Sequence, residues 1–183
     1  MMRIGRCWYP VTTLGYGKRV GIWFQGCARR CPQCISPEFQ DPQMGRYCSP
    51  EEVMNCLPAD GDPDGLTVSG GEPFDQPEGL LELVLAWKKR FRDDVLVFTG
   101  YTLEELHQMN SPIVEAVLKE IAVLVDGRYI QEENDGIGLR GSANQKVHVW
   151  KCEDKHKDLE QISRSLQCVF YGDHLWMIGI PPK

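Results

Sequence analysis

The sequence predicts an α/β protein, a partial, open β/α barrel with a short C-terminal β-hairpin. Three observations carry this. Short apolar runs at residues 19–24, 66–69, 95–98 and 122–125 read as strands of a buried parallel sheet, and helical segments alternate with them. Each run ends in a glycine-rich or polar loop, where β/α folds build their sites. The chain has 183 residues, short of the ~250 of a complete barrel, so one side is expected to stay open. Residues 1–183 are expected to form a single domain.

The elements follow in order. Residues 3–10 are mixed in character and read as an edge strand or a segment lying across the barrel. The run Arg19-Val20-Gly21-Ile22-Trp23-Phe24 is rich in β-branched and aromatic residues. Ser49-Pro50-Glu51-Glu52 starts a helix running to about residue 57: Ser49 caps it, Pro50 suits its first position and Glu52 completes a capping box. Residues 60–65 are turn chemistry throughout. The strand 66–69 then ends in Gly70-Gly71-Glu72-Pro73. Residues 77–92 form a helix whose apolar face is Leu80, Leu81, Val84, Trp87 and Phe91, and its basic end, Lys88-Lys89-Arg90-Phe91-Arg92, complements the helix dipole.

Strand 95–98 leads into Thr99-Gly100-Tyr101, and Thr102-Leu103-Glu104-Glu105 opens a short helix with a second capping box. Ser111-Pro112 opens another, to about residue 119. Strand 122–125 ends at Asp126-Gly127. The polar loop 140–146, which reads as a hairpin turn, precedes a strand at 147–150. Residues 155–166 read as a weakly amphipathic helix with Leu159, Ile162 and Leu166 inward. A hairpin closes the chain, turning at Gly172-Asp173.

Composition narrows the function. Hydrophobic residues are 42% and charged residues 25%, and the net charge is -6. An acidic balance argues against nucleic acid as the main partner. No run approaches the ~20 apolar residues of a membrane-spanning helix, and the N-terminus lacks the apolar stretch of a signal peptide. A cytoplasmic, thiol-reduced protein is expected, so the eight cysteines call for a metal rather than disulfides.

Three of them, Cys27, Cys31 and Cys34, form a C-x3-C-x2-C run. Thiolates are soft ligands that suit iron–sulfur clusters and zinc. A 4Fe–4S cluster normally takes four cysteines; three leave one iron open, and an open metal position is where substrate binds. The competing reading is a zinc knuckle or a buried, reduced cysteine cluster. Zinc sites usually want paired C-x2-C ligands, and the chain has no second pair. Cys7, Cys48, Cys56, Cys152 and Cys168 are expected to be structural, and the four histidines form no ligand pattern. At Gly70-Gly71-Glu72-Pro73 the glycines allow close backbone approach to a ligand and Glu72 offers a carboxylate to an ammonium, although a plain strand-to-helix turn accounts for the same letters. Asp126 either hydrogen-bonds a ribose or amine or caps the turn before Gly127.

The cysteine triplet and the Gly-Gly-Glu-Pro run together resemble the radical S-adenosylmethionine superfamily. The resemblance implies a radical-type open barrel. Cys27, Cys31 and Cys34 become the iron ligands, and so the catalytic centre, of a 4Fe–4S cluster. Gly70, Gly71, Glu72 and Pro73 become contacts to the amino group of S-adenosylmethionine, joined by Asp126 and by Gln33, which stands where the family often has an aromatic residue. Asp126-Gly127 and Gly141-Ser142-Ala143-Asn144-Gln145 resemble stretches of anaerobic ribonucleotide reductase activating proteins, with Lys146 in place of Arg. That resemblance implies an oxygen-sensitive enzyme that cleaves S-adenosylmethionine to a 5′-deoxyadenosyl radical. It also implies a glycyl radical enzyme as protein substrate and a flavodoxin- or ferredoxin-type electron donor. The alternatives are a stand-alone radical enzyme acting on a peptide or small molecule, and an electron-transfer or zinc-binding module.

Overall fold

The structure, a computed structural model, describes residues 1–55, 57 and 61–183. A mixed seven-stranded sheet organises it. The strands are β1 (Met2–Val11), β2 (Arg19–Phe24), β3 (Arg46–Cys48), β4 (Gly65–Gly70), β5 (Val95–Phe98), β6 (Val123–Asp126) and β7 (Lys146–Val149), in the order β3-β1-β2-β4-β5-β6-β7. The central four, β2, β4, β5 and β6, are parallel, with Ile22 beside Val68, Val68 beside Val97 and Val97 beside Leu124. β1, β3 and β7 pair antiparallel at the margins. A separate hairpin joins β8 (Leu166–Tyr171) to β9 (His174–Gly179), with Gly172 at φ 58°, the first turn position that a type II′ hairpin reserves for glycine.

The helices are α1 (Pro50–Asn55), α2 (Pro77–Arg90), α3 (Leu103–Gln108), α4 (Pro112–Glu120) and α5 (Glu153–His156). The first four cover one face of the sheet. There, Ile22, Phe24, Val68, Val97 and Leu124 pack with Met54 of α1, Leu80 and Trp87 of α2, Leu106 of α3 and Val117 of α4. Alternate strand residues point the other way: Trp23, Leu96, Val123 and Val125 pack against Phe39, Leu139, Leu159 and Ile178. Right-handed crossovers between parallel strands put successive helices on one face, and the period-two alternation of each strand supplies the second core.

Both capping boxes form. Ser49 N–H donates to Glu52 and Glu52 N–H to Ser49 Oγ; Thr102 and Glu105 exchange the same pair. Several expectations need correction. Residues 3–10 form most of β1, which pairs with β2 along its length and, over Met2–Ile4 only, with the three-residue β3 that pattern alone did not reveal. α2 stops at Arg90, and its buried face includes Leu83, while Leu81 and Phe91 are only partly covered. The helix expected over 155–166 is replaced by the four residues of α5 and a series of turns. Its carbonyls are claimed from outside: Leu139 N–H bonds Leu159 O at 2.7 Å and Gly138 N–H bonds Ile162 O at 3.0 Å. Leu166, expected inward, is 37% exposed at the start of β8. The loop 140–146 is part of a long excursion between β6 and β7 and not a tight hairpin. Cys56 and the start of the 60–65 turn lie outside the described residues. Cys48 is buried, whereas Cys152 and Cys168 are exposed.

At the N-terminal ends of the parallel strands sits a buried ion cluster. Arg19, fully buried, donates to Asp94 at 2.9 Å, to Thr67 Oγ at 2.7 Å and to Leu66 O at 2.7 Å. Lys155 and His156 meet the same carboxylate at 2.6 and 3.0 Å. Burial alone would raise the Asp94 carboxyl, but His156, Arg19 and Lys155 together hold it well below the usual carboxylate range. Removing one member strands an uncompensated charge. Asp94→Ala is expected to cost about 3–5 kcal/mol in urea unfolding, and Arg19→Met/Asp94→Leu much less. Because the folded-state pKa is depressed, the contribution is complete above the unfolded carboxylate value of about 4. It fades only as pH falls toward the lower native value, so wild-type stability should show no Asp94-dependent loss between pH 5 and 8.

Candidate active site

Each of the four parallel strands ends on the same side of the sheet, and the loop after β2 is the one the others meet. It opens at Gly26, whose φ of 99° falls in the region that glycine enters without strain. Gly26 N–H donates to Phe39 O at 2.8 Å and Cys27 N–H to Gln40 O at 3.1 Å, so the entry of the loop is pinned to its return. Buried Gln25 adds bonds to Glu38 O and Asp41 O at 3.1 and 2.9 Å. Within the loop, Arg30 and Gln33 take left-handed φ values of 42° and 56°, and Cys34 N–H reaches Cys31 O at 3.3 Å. Cys27, Cys31 and Cys34 are free thiols, each partly covered. Ser36 N–H points at Cys34 Sγ, 3.4 Å away. Burial pushes the Cys27 thiol up, as do the Glu72 and Asp75 charges, against the pull of the Arg29 and Arg30 amides. Gln33 is exposed.

The Gly-Gly-Glu-Pro loop after β4 lies directly against this entry. Gly71 N–H donates to Phe24 O at 2.8 Å and Glu72 N–H to Gly26 O at 2.9 Å. The glycines are required by the approach. A Cβ on Gly70 would sit 2.5 Å from Phe24 O, and one on Gly71 would overlap the Gly26 carbonyl. Pro73 then begins a single 3-10 turn, Pro73–Asp75, capped by Glu72.

The Glu72 carboxylate is 1% exposed. Its Oε1 accepts from Phe74 N–H at 3.0 Å and from Thr99 Oγ at 2.8 Å, and Oε2 from Gly100 N–H at 2.7 Å. Burial dominates these three donors and pushes its pKa up to about 7. Asp126, at the end of β6, is also buried. It accepts from Leu103 N–H at 2.7 Å and Lys146 N–H at 3.1 Å, and His148 Nε2 lies 2.9 Å away. It therefore joins α3 and β7 to the strand end, and the turn that follows carries Gly127 at φ 97°.

Sequence reasoning placed Thr99-Gly100-Tyr101 at the functional strand ends but did not find Asp75 or Arg128, which with Tyr101 hold the cysteine loop from outside. Asp75 accepts from Ala28 N–H at 3.1 Å and from Tyr101 OH at 2.8 Å. Burial and Asp75 keep the proton on Tyr101, whose pKa is pushed up to about 12. Arg29 lies 3.8 Å over the Tyr101 ring and pairs with Glu105 at 3.0 Å. Arg128 donates to Arg29 O at 2.7 Å. A cavity of about 440 Å³ opens beside Cys27, lined also by Gly26, Ala28, Arg30, Asp75 and Gln76.

These residues fit an iron–sulfur cluster. The donors are reduced thiols, the type such clusters take, and an amide already points at one sulfur, as second-shell donors do. The cavity beside Cys27 leaves room for a ligand next to them. Among the described residues no three His, Cys, Asp or Glu side chains converge on a single ion; a cubane instead asks each thiolate for its own corner.

Comparison with known proteins gives the class. Residues 13–148, which hold all these features, match the family described as a 4Fe-4S single cluster domain, and the protein is an enzyme of the radical S-adenosylmethionine class, with a 4Fe–4S cluster and S-adenosylmethionine as cofactors. The chain is 37% identical over 153 residues to the anaerobic ribonucleoside-triphosphate reductase-activating protein of Vibrio cholerae, covering 77% of this chain and 94% of that one. It is 34% identical to the protein of that name from Haemophilus influenzae, covering 79% and 96%. The pyruvate formate-lyase-activating enzyme of Clostridium pasteurianum is 28% identical over 137 residues, covering 69% and 54%. The chain belongs to the family of anaerobic ribonucleoside-triphosphate reductase-activating proteins.

Two outcomes are expected of the metal-free chain. Gly71→Ala should break the contact between the two loops and lower stability by about 1–3 kcal/mol in urea titration. Glu72 is an acid with a raised native pKa, so its contribution is complete below the unfolded value of about 4.3 and is lost as pH rises through about 7. Wild-type unfolding free energy should therefore fall between pH 5 and 8, and Glu72→Gln should flatten that slope whatever its absolute cost.

Proposed function

We propose that this chain activates a glycyl radical enzyme of the anaerobic ribonucleotide reductase kind. Cys27, Cys31 and Cys34 hold the 4Fe–4S cluster. Gly70, Gly71, Glu72 and Pro73, with Gln33 and Asp126, form the S-adenosylmethionine side of the site. The single observation that carries this reading is the pair of backbone bonds joining the loops, Gly71 N–H to Phe24 O and Glu72 N–H to Gly26 O. They hold the thiol loop and the carboxylate loop one hydrogen bond apart. Support for the partner comes from relatives named as activators of anaerobic ribonucleoside-triphosphate reductase.

Cys27, Cys31 and Cys34 would hold the cluster, which would supply one electron for reductive cleavage of S-adenosylmethionine and, through that cleavage, the power to take a hydrogen atom from a glycine Cα of the partner. The chain's own residues do the rest. The loop amides and thiols fix the ligand positions. Buried Glu72 places a carboxylate behind the loop, and an ammonium bound next to it favours its ionised form. The Asp75–Tyr101–Arg29 contacts keep the loop from drifting.

The sheet curls as an open β/α barrel in this reading, and residues 1–183 act as one domain. Helices α1–α4 on one face, with Phe39, Leu139, Leu159 and the hairpin's Ile178 packed on the other, are what such a curl produces. An open side gives a loop of a large partner access to the strand ends. The electron donor is of flavodoxin or ferredoxin type, and the setting is the cytoplasm. Among the described residues no helix is long and apolar enough to cross a membrane.

Anaerobic reconstitution should give about four irons per chain with an iron–sulfur absorbance band, and Cys31→Ala should abolish it. Dithionite with S-adenosylmethionine should then yield 5′-deoxyadenosine. Adding an anaerobic ribonucleotide reductase should produce a glycine-centred doublet by electron paramagnetic resonance; nucleoside formation without any doublet across candidate partners would sink the partner assignment alone.

A further inference from the structure

The proposed chemistry gives the run Gly141-Ser142-Ala143-Asn144-Gln145 no task. Its three polar side chains turn toward one short segment, the residues just after Asp126. Gln145 Nε2 donates to Gly127 O at 2.7 Å and Asn144 Nδ2 to Arg128 O at 2.8 Å. Ser142 Oγ accepts from Ile130 N–H at 3.1 Å. The run is itself braced: Gln145 Oε1 accepts from Gly141 N–H at 2.6 Å and Ser142 N–H at 3.1 Å, and Ser142 and Gln145 are buried. Segment 127–130 thus has two carbonyls and one amide held by three side chains, and Gly127 N–H is tied to Tyr101 O at 2.9 Å.

What that segment delivers is Arg128. Its guanidinium bonds Arg29 O at 2.7 Å, and Arg29 stands between the first two cysteines of the triplet. Asp75 holds the preceding amide, Ala28 N–H. The Cys27–Cys31 stretch is therefore clasped on both sides of one peptide, by a carboxylate from the β4 loop and a cation from the β6 loop. We infer that Asn144 and Gln145 are positioning residues for the cysteine loop, acting through Arg128, whose cation is held on the Arg29 carbonyl, two residues from Cys27 and two from Cys31. This rests on the proposed ligand role of the cysteines only for its electrochemical consequence. A three-thiolate cluster becomes more negative on reduction, and a nearby cation favours that state. The mechanical consequence needs no metal: loss of a clasp bond frees the loop amides.

The test has two arms. In the metal-free full chain, hydrogen–deuterium exchange of the amides in 28–31 is expected to quicken about tenfold in Asn144→Ala and in Arg128→Gln, with β4 unchanged and Arg128→Lys restoring much of the protection. Unchanged exchange in Asn144→Ala would overturn the inference, and so would loosening of β4 to the same degree, which marks a general loss of structure. In the reconstituted protein the midpoint potential is expected to move to more negative values in Arg128→Gln, by less in Asn144→Ala, and hardly at all in Arg128→Lys. Potentials identical to wild type in the first two would also overturn it. A wild-type chain that takes up no cluster refutes the proposed function and leaves the exchange arm to decide this inference by itself.

Discussion

Everything at the functional end of this protein depends on two backbone amides reaching two backbone carbonyls across neighbouring strand ends. Gly71 and Glu72 donate to Phe24 and Gly26, and no side chain fits between. Parallel strands do not bring their outgoing loops into register unaided, since each loop departs toward its own helix. Here the β4 chain turns back at Gly70, with φ 99°, and lies on the β2 loop before its helix begins. A loop rich in chemistry but poor in regular structure gains a neighbour that is itself anchored, through Glu72, to Thr99 and Gly100 at the end of β5. Three strand ends are thereby locked around one point by bonds that need no cofactor.

The two ends of the parallel strands carry buried carboxylates of opposite character. Asp94 faces Arg19, Lys155 and His156, and these partners keep its proton off. Glu72 is as deeply buried but receives only neutral amide and hydroxyl donors, with the Asp75 charge nearby, so its pKa rises. The difference follows from the partners and not from burial depth. A fully compensated buried ion cluster holds elements in place. A carboxylate left without a cation is a group whose balance an incoming charge can reset, and perturbed acids of this kind gather at functional sites. The strands thus separate a finished electrostatic problem at one end from an open one at the other.

The legible parts of the sequence were those whose signals are local. Both capping boxes, the four parallel strands and the terminal hairpin are each encoded within about ten consecutive residues, and each forms. The cysteine triplet and the Gly-Gly-Glu-Pro run were legible because their letters are short and specific, although the reason for the paired glycines became visible only with the Gly26 carbonyl beside them. What escaped was set at long range. β1 is a mixed strand whose first residues are made interior by a three-residue neighbour over 40 positions away. The helix expected at 155–166 lost to carbonyl partners supplied by residues 138–139, which no periodicity within the segment can announce. Asp75 and Arg128 hold the cysteine loop from two other loops, and nothing adjacent to them in sequence distinguishes them from ordinary turn residues.

The cysteine loop itself is unevenly held. Cys27 is fixed by its amide on Gln40 O, by Gly26 before it and by the Asp75 bond to Ala28 after it. From Cys31 to Ser36 the backbone bonds among the described residues are local, Cys34 N–H to Cys31 O, Ser36 N–H to the Cys34 sulfur and Phe39 N–H to Ser36 O, with Gln33 exposed in a left-handed conformation. In the proposed ligand role the first thiol is therefore preorganised by the sheet, while the other two ride on a turn that holds its own shape but not its place. Metal sites couple ligand ordering to binding, and here the division is drawn along the loop. The strand ends meet the cost of placing one ligand during folding. Placing the remaining two falls to the cluster, with the Arg29 peptide, clasped on both sides, as the joint between the fixed part and the adjustable one.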